Sequence, residues 1–465
     1  MSAPDAIPVT VRPAAPLRSL LIVGLGTIVV PLDSAVNIDF PAIVARFGLP
    51  IPMIQWIVIA YVLTQTSLML TFGRIGDILG YRRVFLFGTG FSVLAFLACA
   101  LAPTYAALVA ARVAQGIGAG LILSCGPALA TSLYPEAMRA EVLGRYMAMF
   151  GIGAAIGPSA FGFLVEHLGW SAVFSVRAPI AAAAFLLAWT LPGSARSETT
   201  ERFDAAGGAL LAVALSFLLL TLNRLRDPGL EILLFGAVAA IGFVLFYRQE
   251  CRFPRPIIDF SYFRDPAFTL TNVANALVNL AAFAIMLLAP FYLSRVPGLS
   301  LPQAGLVLAS SPFAMIFAAP LAGRLAKGRS PRIIAVAGSA LSSLGLLGIA
   351  MAAGSPHLAW LSAAMMLQGF GVGLFQVAYF DIVTGAIPPR HRGVAGALGM
   401  ATRSIGTVTG ATVLMLIFQA LRPAGGPDGF SGAFSGAFTG AFQATFTIAA
   451  VLPATMAVAQ FLVRR

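Results

Sequence analysis

Asp33 and Arg112 of this 465-residue chain fall inside long apolar stretches, where a charge is most expensive. Asp33 lies in Leu32-Asp33-Ser34-Ala35-Val36-Asn37-Ile38-Asp39-Phe40-Pro41, and Arg112 in Arg112-Val113-Ala114-Gln115-Gly116. A carboxylate in such surroundings feels two opposed effects: desolvation favours its protonated form, and a nearby guanidinium favours the ionised one. A group balanced in that way can bind and release a proton when its surroundings change. The plainer alternative is that Asp33 only neutralises Arg112 or caps a kink after Pro31.

The elements that must position these residues are membrane helices. The chain is 59% hydrophobic and 10% charged, whereas soluble domains average about 25% charged. A bilayer core needs roughly 20 apolar residues per helix. Fourteen stretches qualify, at about 19–40, 53–73, 84–102, 105–127, 146–165, 172–192, 205–223, 231–247, 267–293, 302–323, 331–353, 358–380, 394–418 and 441–462. Their apolar runs are unbroken, which points to helices rather than alternating barrel strands. No cleavable signal peptide is evident, so the first span is expected to stay. If that span rises from about residue 19, Asp33 lies roughly 21 Å from the inner face. Descending from about residue 104, Arg112 lies roughly 18 Å above that face in a 30 Å core. An ion pair between them is geometrically allowed.

The net charge of +12 is distributed unevenly. With both termini in the cytoplasm, 21 of the 29 Lys and Arg fall in inner loops and ends. Arg46, Arg224, Arg226, Arg295 and Arg422 fall outside, while Arg112, Arg177 and Arg403 lie within spans. This is the positive-inside bias of a membrane protein, not a nucleic-acid footprint. Trp56, Trp170 and Trp360 then mark the outer interface and Trp189 the inner one. Arg177, close to the outer interface, reads as a snorkelling side chain. Cys99, Cys125 and Cys251 form no disulfide or metal pattern, and His167, His357 and His391 read as solvated residues at loop edges.

An internal repeat organises the chain. Gln115-Gly116-Ile117-Gly118-Ala119-Gly120-Leu121 returns 253 residues later as Gln368-Gly369-Phe370-Gly371-Val372-Gly373-Leu374. At the same offset Pro135 and Arg139 meet Pro388 and Arg392, and Ile152-Gly153 and Gly157 meet Ile405-Gly406 and Gly410. Gly73-Arg74-Ile75 returns as Gly323-Arg324-Leu325. Six-helix units are therefore expected at 19–192 and 266–462, flanked by a tail at 1–18 and an end at 463–465. The linker 193–265 carries the two additional spans. Features present in both halves read as architecture, and four-residue glycine spacing as close helix packing. Asp33 and Arg112 have no counterpart, since their copies are Met286 and Met365. Nor has Asp77, whose place is taken by Lys327, or Pro158, replaced by Ala411.

Gly73-Arg74-Ile75-Gly76-Asp77-Ile78-Leu79-Gly80-Tyr81-Arg82-Arg83 reads as a charged surface loop between two spans. It resembles the signature loop between the second and third helices of the major facilitator superfamily. The length of the repeat offset and Phe203-Asp204 before the seventh span are similar to the fourteen-span, drug:proton antiporter branch. The Asp33 segment resembles that branch's first-helix motif, and Leu108 with Arg112–Gly116 its fourth-helix motif, whose arginine the resemblance implicates in proton coupling. Gly153-Ala154-Ala155-Ile156-Gly157-Pro158 with Gly162 resembles the antiporter-type fifth-helix bend, with Phe161 where a second glycine is usual. The resemblance implies that Gly73, Arg74, Asp77, Gly80, Arg82 and Arg83 form a cytoplasmic latch. Asp77 would dock on a helix N-terminus or an arginine, while plain membrane anchoring is the alternative for the arginines.

Asn37, Asp39, Gln115 and Arg403 are cavity candidates. Asp39 departs from the family pattern, as a solvated helix end or a second cation-binding carboxylate. Arg403, at mid-depth and opposite Phe150 in the repeat, is a cavity-facing charge or a donor to backbone carbonyls. The Gly-Ala-Phe run at 432–442 reads as a helix extension with a phenylalanine stripe against lipid or protein. The expectation is thus an all-α major facilitator fold of two six-helix bundles plus two extra helices. It would be a monomeric, multi-pass protein of the bacterial inner membrane, surrounded by lipid. It would export small hydrophobic, cationic compounds in exchange for protons; the alternative is a narrow metabolite exporter or importer. No cofactor, metal or nucleic acid is expected, and a proton gradient supplies the energy.

Overall fold

The computed structural model describes residues 17–48, 53–193, 203–225, 229–254, 256–293, 299, 301–353, 358–421 and 436–463. Helix α1 (Leu17–Ile28) leads into a 3-10 segment, Pro31–Asp39, and a short α2 (Phe40–Phe47). There follow α3 (Gln55–Leu79), α4 (Tyr81–Ala100), α5 (Tyr105–Ser132), α6 (Arg139–Leu168), α7 (Ala172–Ser175) and α8 (Arg177–Ala188). The middle of the chain forms α9 (Ala205–Arg224) and α10 (Leu230–Arg252). The remainder forms α11 (Pro266–Leu293), α12 (Leu301–Leu325), α13 (Pro331–Ala352), α14 (Leu358–Ala386), α15 (Arg392–Ala420) and α16 (Gly436–Leu462).

Twelve helices among the described residues are long and apolar enough to cross a membrane. The other two expected stretches fall on α6, where several side chains lie outside the described residues, and on the shorter apolar run Ala172–Ala188.

Two expected continuous helices are broken, each at a proline. Pro31 has no N–H to give the carbonyl of Thr27, so α1 stops at Ile28 and the chain tightens into i→i+3 bonds, with Asp33 N–H donating to Val30 O at 3.0 Å. Pro179 likewise cannot donate to Ser175, and the sixth passage divides into α7 and α8 with Arg177 at the joint.

The supposed loop after α3 is also helical. Residues 73–79 are the last two turns of α3, and Gly80 alone, at φ +92°, links α3 to α4. Gly73 and Gly76 face neighbours instead of turning the chain. A Cβ on Gly73 would meet Ala397 Cβ and Gly393 O at 2.6 Å, and one on Gly76 would meet Cys125 Sγ at 2.5 Å.

The repeat is visible as packing. Gly153 and Gly157 seat α6 on the start of the chain, where added Cβ atoms would lie 2.7 Å from Ile28 O and from Ser34 Oγ. In the second half Gly410 seats α15 on α11, with an added Cβ 2.6 Å from Leu280 O. Gly73 joins α3 to α15, and its copy Gly323 joins α12 to α6, 2.7 Å from Ala140 O. These pairs bring the two sets of helices together at one end of the bundle, here called the Asp77 end. Helix α9 packs on α3 through Gly208 and Thr71, and α10 lies outside α9, burying only the stripe Ala239, Gly242, Phe246 and Glu250. The phenylalanine stripe packs on protein: Phe438 and Phe442 are buried with Phe418 and Tyr292, while residues 432–435 lie outside the described residues.

Candidate functional site

Asp33 is the acceptor of a buried polar cluster. Arg112, on α5, grips it with two parallel bonds, Nη1 to Oδ1 and Nη2 to Oδ2, both 2.7 Å. Arg177, at the start of α8, donates to the same Oδ1 at 2.7 Å, and Gln115 Nε2 donates to it at 2.8 Å. The side chains of Arg112 and Arg177 are 0% and 1% exposed, and that of Asp33 is 12% exposed.

Each arginine is held independently of the acid. Arg112 Nε donates to Ile57 O at 2.8 Å, and its guanidinium lies 4.4 Å from the Tyr61 ring centre. Arg177 Nη2 donates to Val29 O at 2.9 Å, and its guanidinium lies 4.4 Å from the Phe96 ring centre. The acid therefore sits on an irregular, proline-broken segment, and its cationic partners sit on fixed helices. Forked, charge-assisted bonds of this kind are strong and directional.

This cluster corrects one expectation. Arg177 does not snorkel to an interface but completes the site, buried with its Nη1 on Asp33 and its Nη2 on Val29 O. Two guanidinium groups face Asp33, so its negative charge is not free for a cation. The side chains of Asn37 and Asp39, and the stretch of α6 holding Pro158 and Gly162, lie outside the described residues.

The Asp77 end is shut by bonds between the two halves. Asp77 accepts from the backbone N–H groups of Gly393 (2.7 Å) and Val394 (3.3 Å), the first turn of α15, and from Tyr81 Oη at 2.8 Å. A carboxylate on a helix N-terminus meets both free N–H groups and the positive end of the dipole. Arg74 Nη1 meets His391 Nδ1 at 3.0 Å, so His391 is not merely solvated.

Three ion pairs that sequence reasoning missed cross the same seam. They are Arg139–Asp381 at 2.8 Å, Lys327–Glu141 at 2.6 Å, and Arg392–Glu136. The signal for them was the repeat itself, in which Arg139 and Arg392 are equivalent. Arg82 stands apart from this seam: it donates to Ala188 O and Trp189 O of its own half. Its copy Arg332 donates to Gln460 O and Phe461 O. Both cap the last helix of a half, and Arg83 is exposed. Arg403, on α15, lies with its guanidinium 4.2 Å from the Phe150 ring centre, on α6.

The sequence profile of the Major Facilitator Superfamily matches residues 23–411 and 271–465. The chain belongs to the Major Facilitator Superfamily. It is a membrane transporter, not an enzyme. Among curated superfamily members, the riboflavin transporter RibZ of Clostridioides difficile is 29% identical over 401 residues, covering 86% of this chain and 87% of that one. The multidrug resistance protein Stp of Mycobacterium tuberculosis is 30% identical over 414 residues, covering 87% and 76%. The methylenomycin A resistance protein of Streptomyces coelicolor is 30% identical over 406 residues, covering 85% and 84%.

The superfamily fold is shared with the human organic anion transporter MFSD10 (TM-score 0.68, 15% identity, 95% of this chain and 99% of that one). It is shared equally with the proton:xylose symporter XylE (TM-score 0.68, 14% identity, 96% and 95%). At such identities the likeness speaks for the fold alone.

Proposed function

We propose that this superfamily member is a proton-coupled exporter of small hydrophobic compounds, exchanging them for protons by alternating access. In this reading fourteen helices span a bacterial inner membrane, both termini are cytoplasmic, and a monomer suffices. The two six-helix units rock about a central cavity, with α9 and α10 beside them. The observation that carries the reading is the sharing of Asp33 between Arg112 and Arg177 on a segment cut loose from α1 by Pro31.

While both guanidinium groups are in place, Asp33 is held ionised. A shift of the 3-10 segment against α5 and α8 removes their support and leaves a carboxyl in apolar surroundings, which binds a proton. Protonation is thereby tied to helix position, which is what exchange requires. The bonds at the Asp77 end, cytoplasmic in this orientation, make the described conformation closed toward the cell interior. Asp77 acts there as the latch, together with Arg74 and the seating of Gly73 against α15.

A narrow metabolite carrier is the second reading, favoured by the similarity to a riboflavin transporter. Purified protein in liposomes with an imposed pH gradient separates the two, using a panel that includes riboflavin, methylenomycin A and aromatic ions of both signs. Movement of several unrelated compounds supports the exporter, and movement of a single compound supports the carrier. No response to the gradient by any compound would defeat proton coupling.

A further inference from the structure

The centre of the bundle holds more positive charge than Asp33 neutralises. Among the described residues there, Arg112, Arg177 and Arg403 stand against one carboxylate, and the first two are both committed to it. Arg403 is different. No carboxylate among the described residues lies within ion-pair reach of it. Its Nη1 is buried without a hydrogen-bond partner, and its guanidinium rests on the face of Phe150.

The location of that contact is informative. Residues 150 and 403 differ by 253, the offset of the internal repeat (403 − 150 = 253). Equivalent positions of two repeats touch only where the axis relating the repeats passes between them. Arg403 therefore lies on the pseudo-twofold axis, on the seam between the halves, where superfamily transporters carry their substrate cavity.

An arginine serving only as a tether would have its N–H groups occupied by carbonyls or a carboxylate. Here a ring face holds the guanidinium in position while leaving a donor unused. Among the described residues three guanidinium groups thus stand against one carboxylate, a balance that repels a cation and attracts an anion. The guanidinium fork matches a planar carboxylate, and Phe150 offers an aromatic face beside it.

We propose that Arg403 and Phe150 form a substrate subsite for an oxyanion, such as a carboxylate or phenolate, carried on an aromatic or otherwise apolar compound. The inference rests on the reading of this chain as a carrier that binds its substrate between the halves. It replaces the expected cationic substrate with an anionic one, and it separates substrate from proton: Arg403 reads the first and Asp33 the second.

The test uses three probes of one shape, 1-naphthoate, 1-naphthamide and 1-naphthylmethylammonium, titrated calorimetrically into the purified full-length protein. Wild type is expected to bind the carboxylate about tenfold or more tighter than the amide, with the cation weakest. Arg403→Gln should abolish the preference for carboxylate over amide, and Arg403→Lys should keep part of it. Should the Gln variant not fold, the wild-type ranking and the Lys variant decide. A cation that binds as well as the carboxylate, an unchanged preference in Arg403→Gln, or no binding of any probe overturns the proposal. Gradient-driven transport without a carboxylate preference defeats the subsite alone. A carboxylate preference without gradient-driven transport defeats the exporter reading and leaves the subsite standing.

Discussion

Arg177 and Asp33, 144 residues apart, are bonded at 2.7 Å through the same carboxylate oxygen that Arg112 and Gln115 use. The acid is thus the common anchor of α5, α8 and the segment after α1. A two-member pair would report the separation of two helices, whereas this cluster reports whether three elements are assembled.

The charge count makes a stability prediction. Asp33→Asn leaves two buried guanidinium groups without their counterion, and breaking a buried pair in this way costs about 3–5 kcal/mol. Adding Arg177→Gln returns the site to one uncompensated guanidinium, as in the native protein. The double variant should therefore melt closer to wild type than Asp33→Asn does. A loss in the double variant equal to the sum of the losses in Asp33→Asn and Arg177→Gln would show that Arg177 and Asp33 are not energetically coupled.

At the Asp77 end the prediction concerns populations. Hydrogen bonds to a charged acceptor contribute about 1.5–3 kcal/mol, so Asp77→Asn should shift the equilibrium several-fold or more toward the state open at that end. Gly73→Ala should push the same way, because its new Cβ would lie 2.6 Å from Ala397 Cβ and Gly393 O. Spin-label distances between Leu79 and Arg390, each replaced by cysteine, report the change. An unaltered distance distribution in both variants contradicts the latch.

Arg82 should behave otherwise. As a cap on α8, equivalent to Arg332 on α16, it interacts with helix C-terminal carbonyls worth about 0.3–1 kcal/mol. Arg82→Ala and Arg332→Ala should each lower the melting temperature slightly and leave those label distances alone. Opening in Arg82→Ala comparable to that in Asp77→Asn would return Arg82 to the latch.

Glu136 supplies a pH dependence. Burial pushes its carboxyl up, but hydrogen bonds and charge from Arg392 and Arg139 outweigh this and hold it below its ordinary value of 4.5. A depressed value favours the closed, paired state above that ordinary value and withdraws the support as pH falls through the lowered one. Closure measured by the same labels should weaken on acidification below about pH 4.5, and Glu136→Gln should remove that part of the response. An acid response unchanged in Glu136→Gln assigns it elsewhere.

Much of this architecture was legible in the sequence because membrane helices announce themselves by length and composition. The repeat offset also marks which glycines pack closely: Gly153 and Gly157 on one side, Gly406 and Gly410 on the other. Helix depth counted from the span ends allows Asp33 to meet Arg112, as it does. The same reckoning puts Arg177 roughly 7.5 Å below the outer end of its span at 1.5 Å per residue, within a turn of Arg112's depth. Closeness to the outer interface hides that signal, because depth along a helix does not tell which way a side chain faces.

The Asp77 stretch misleads in a different way. Its glycines looked like turn residues, yet only Gly80 has a positive φ, while Gly73 and Gly76 are small because neighbours crowd them. Cross-half partners such as Arg139–Asp381 join residues 242 apart and depend on which helices meet, which periodicity within one helix does not encode.

The most direct measurement follows the proton itself. Liposomes carrying the wild-type protein and an internal pH-sensitive dye should show a pH change when a transported compound is added to one side. In Asp33→Asn liposomes the same compound should still exchange against its own labelled form, while the pH change disappears. A full pH change in Asp33→Asn, matching wild type, would contradict the account.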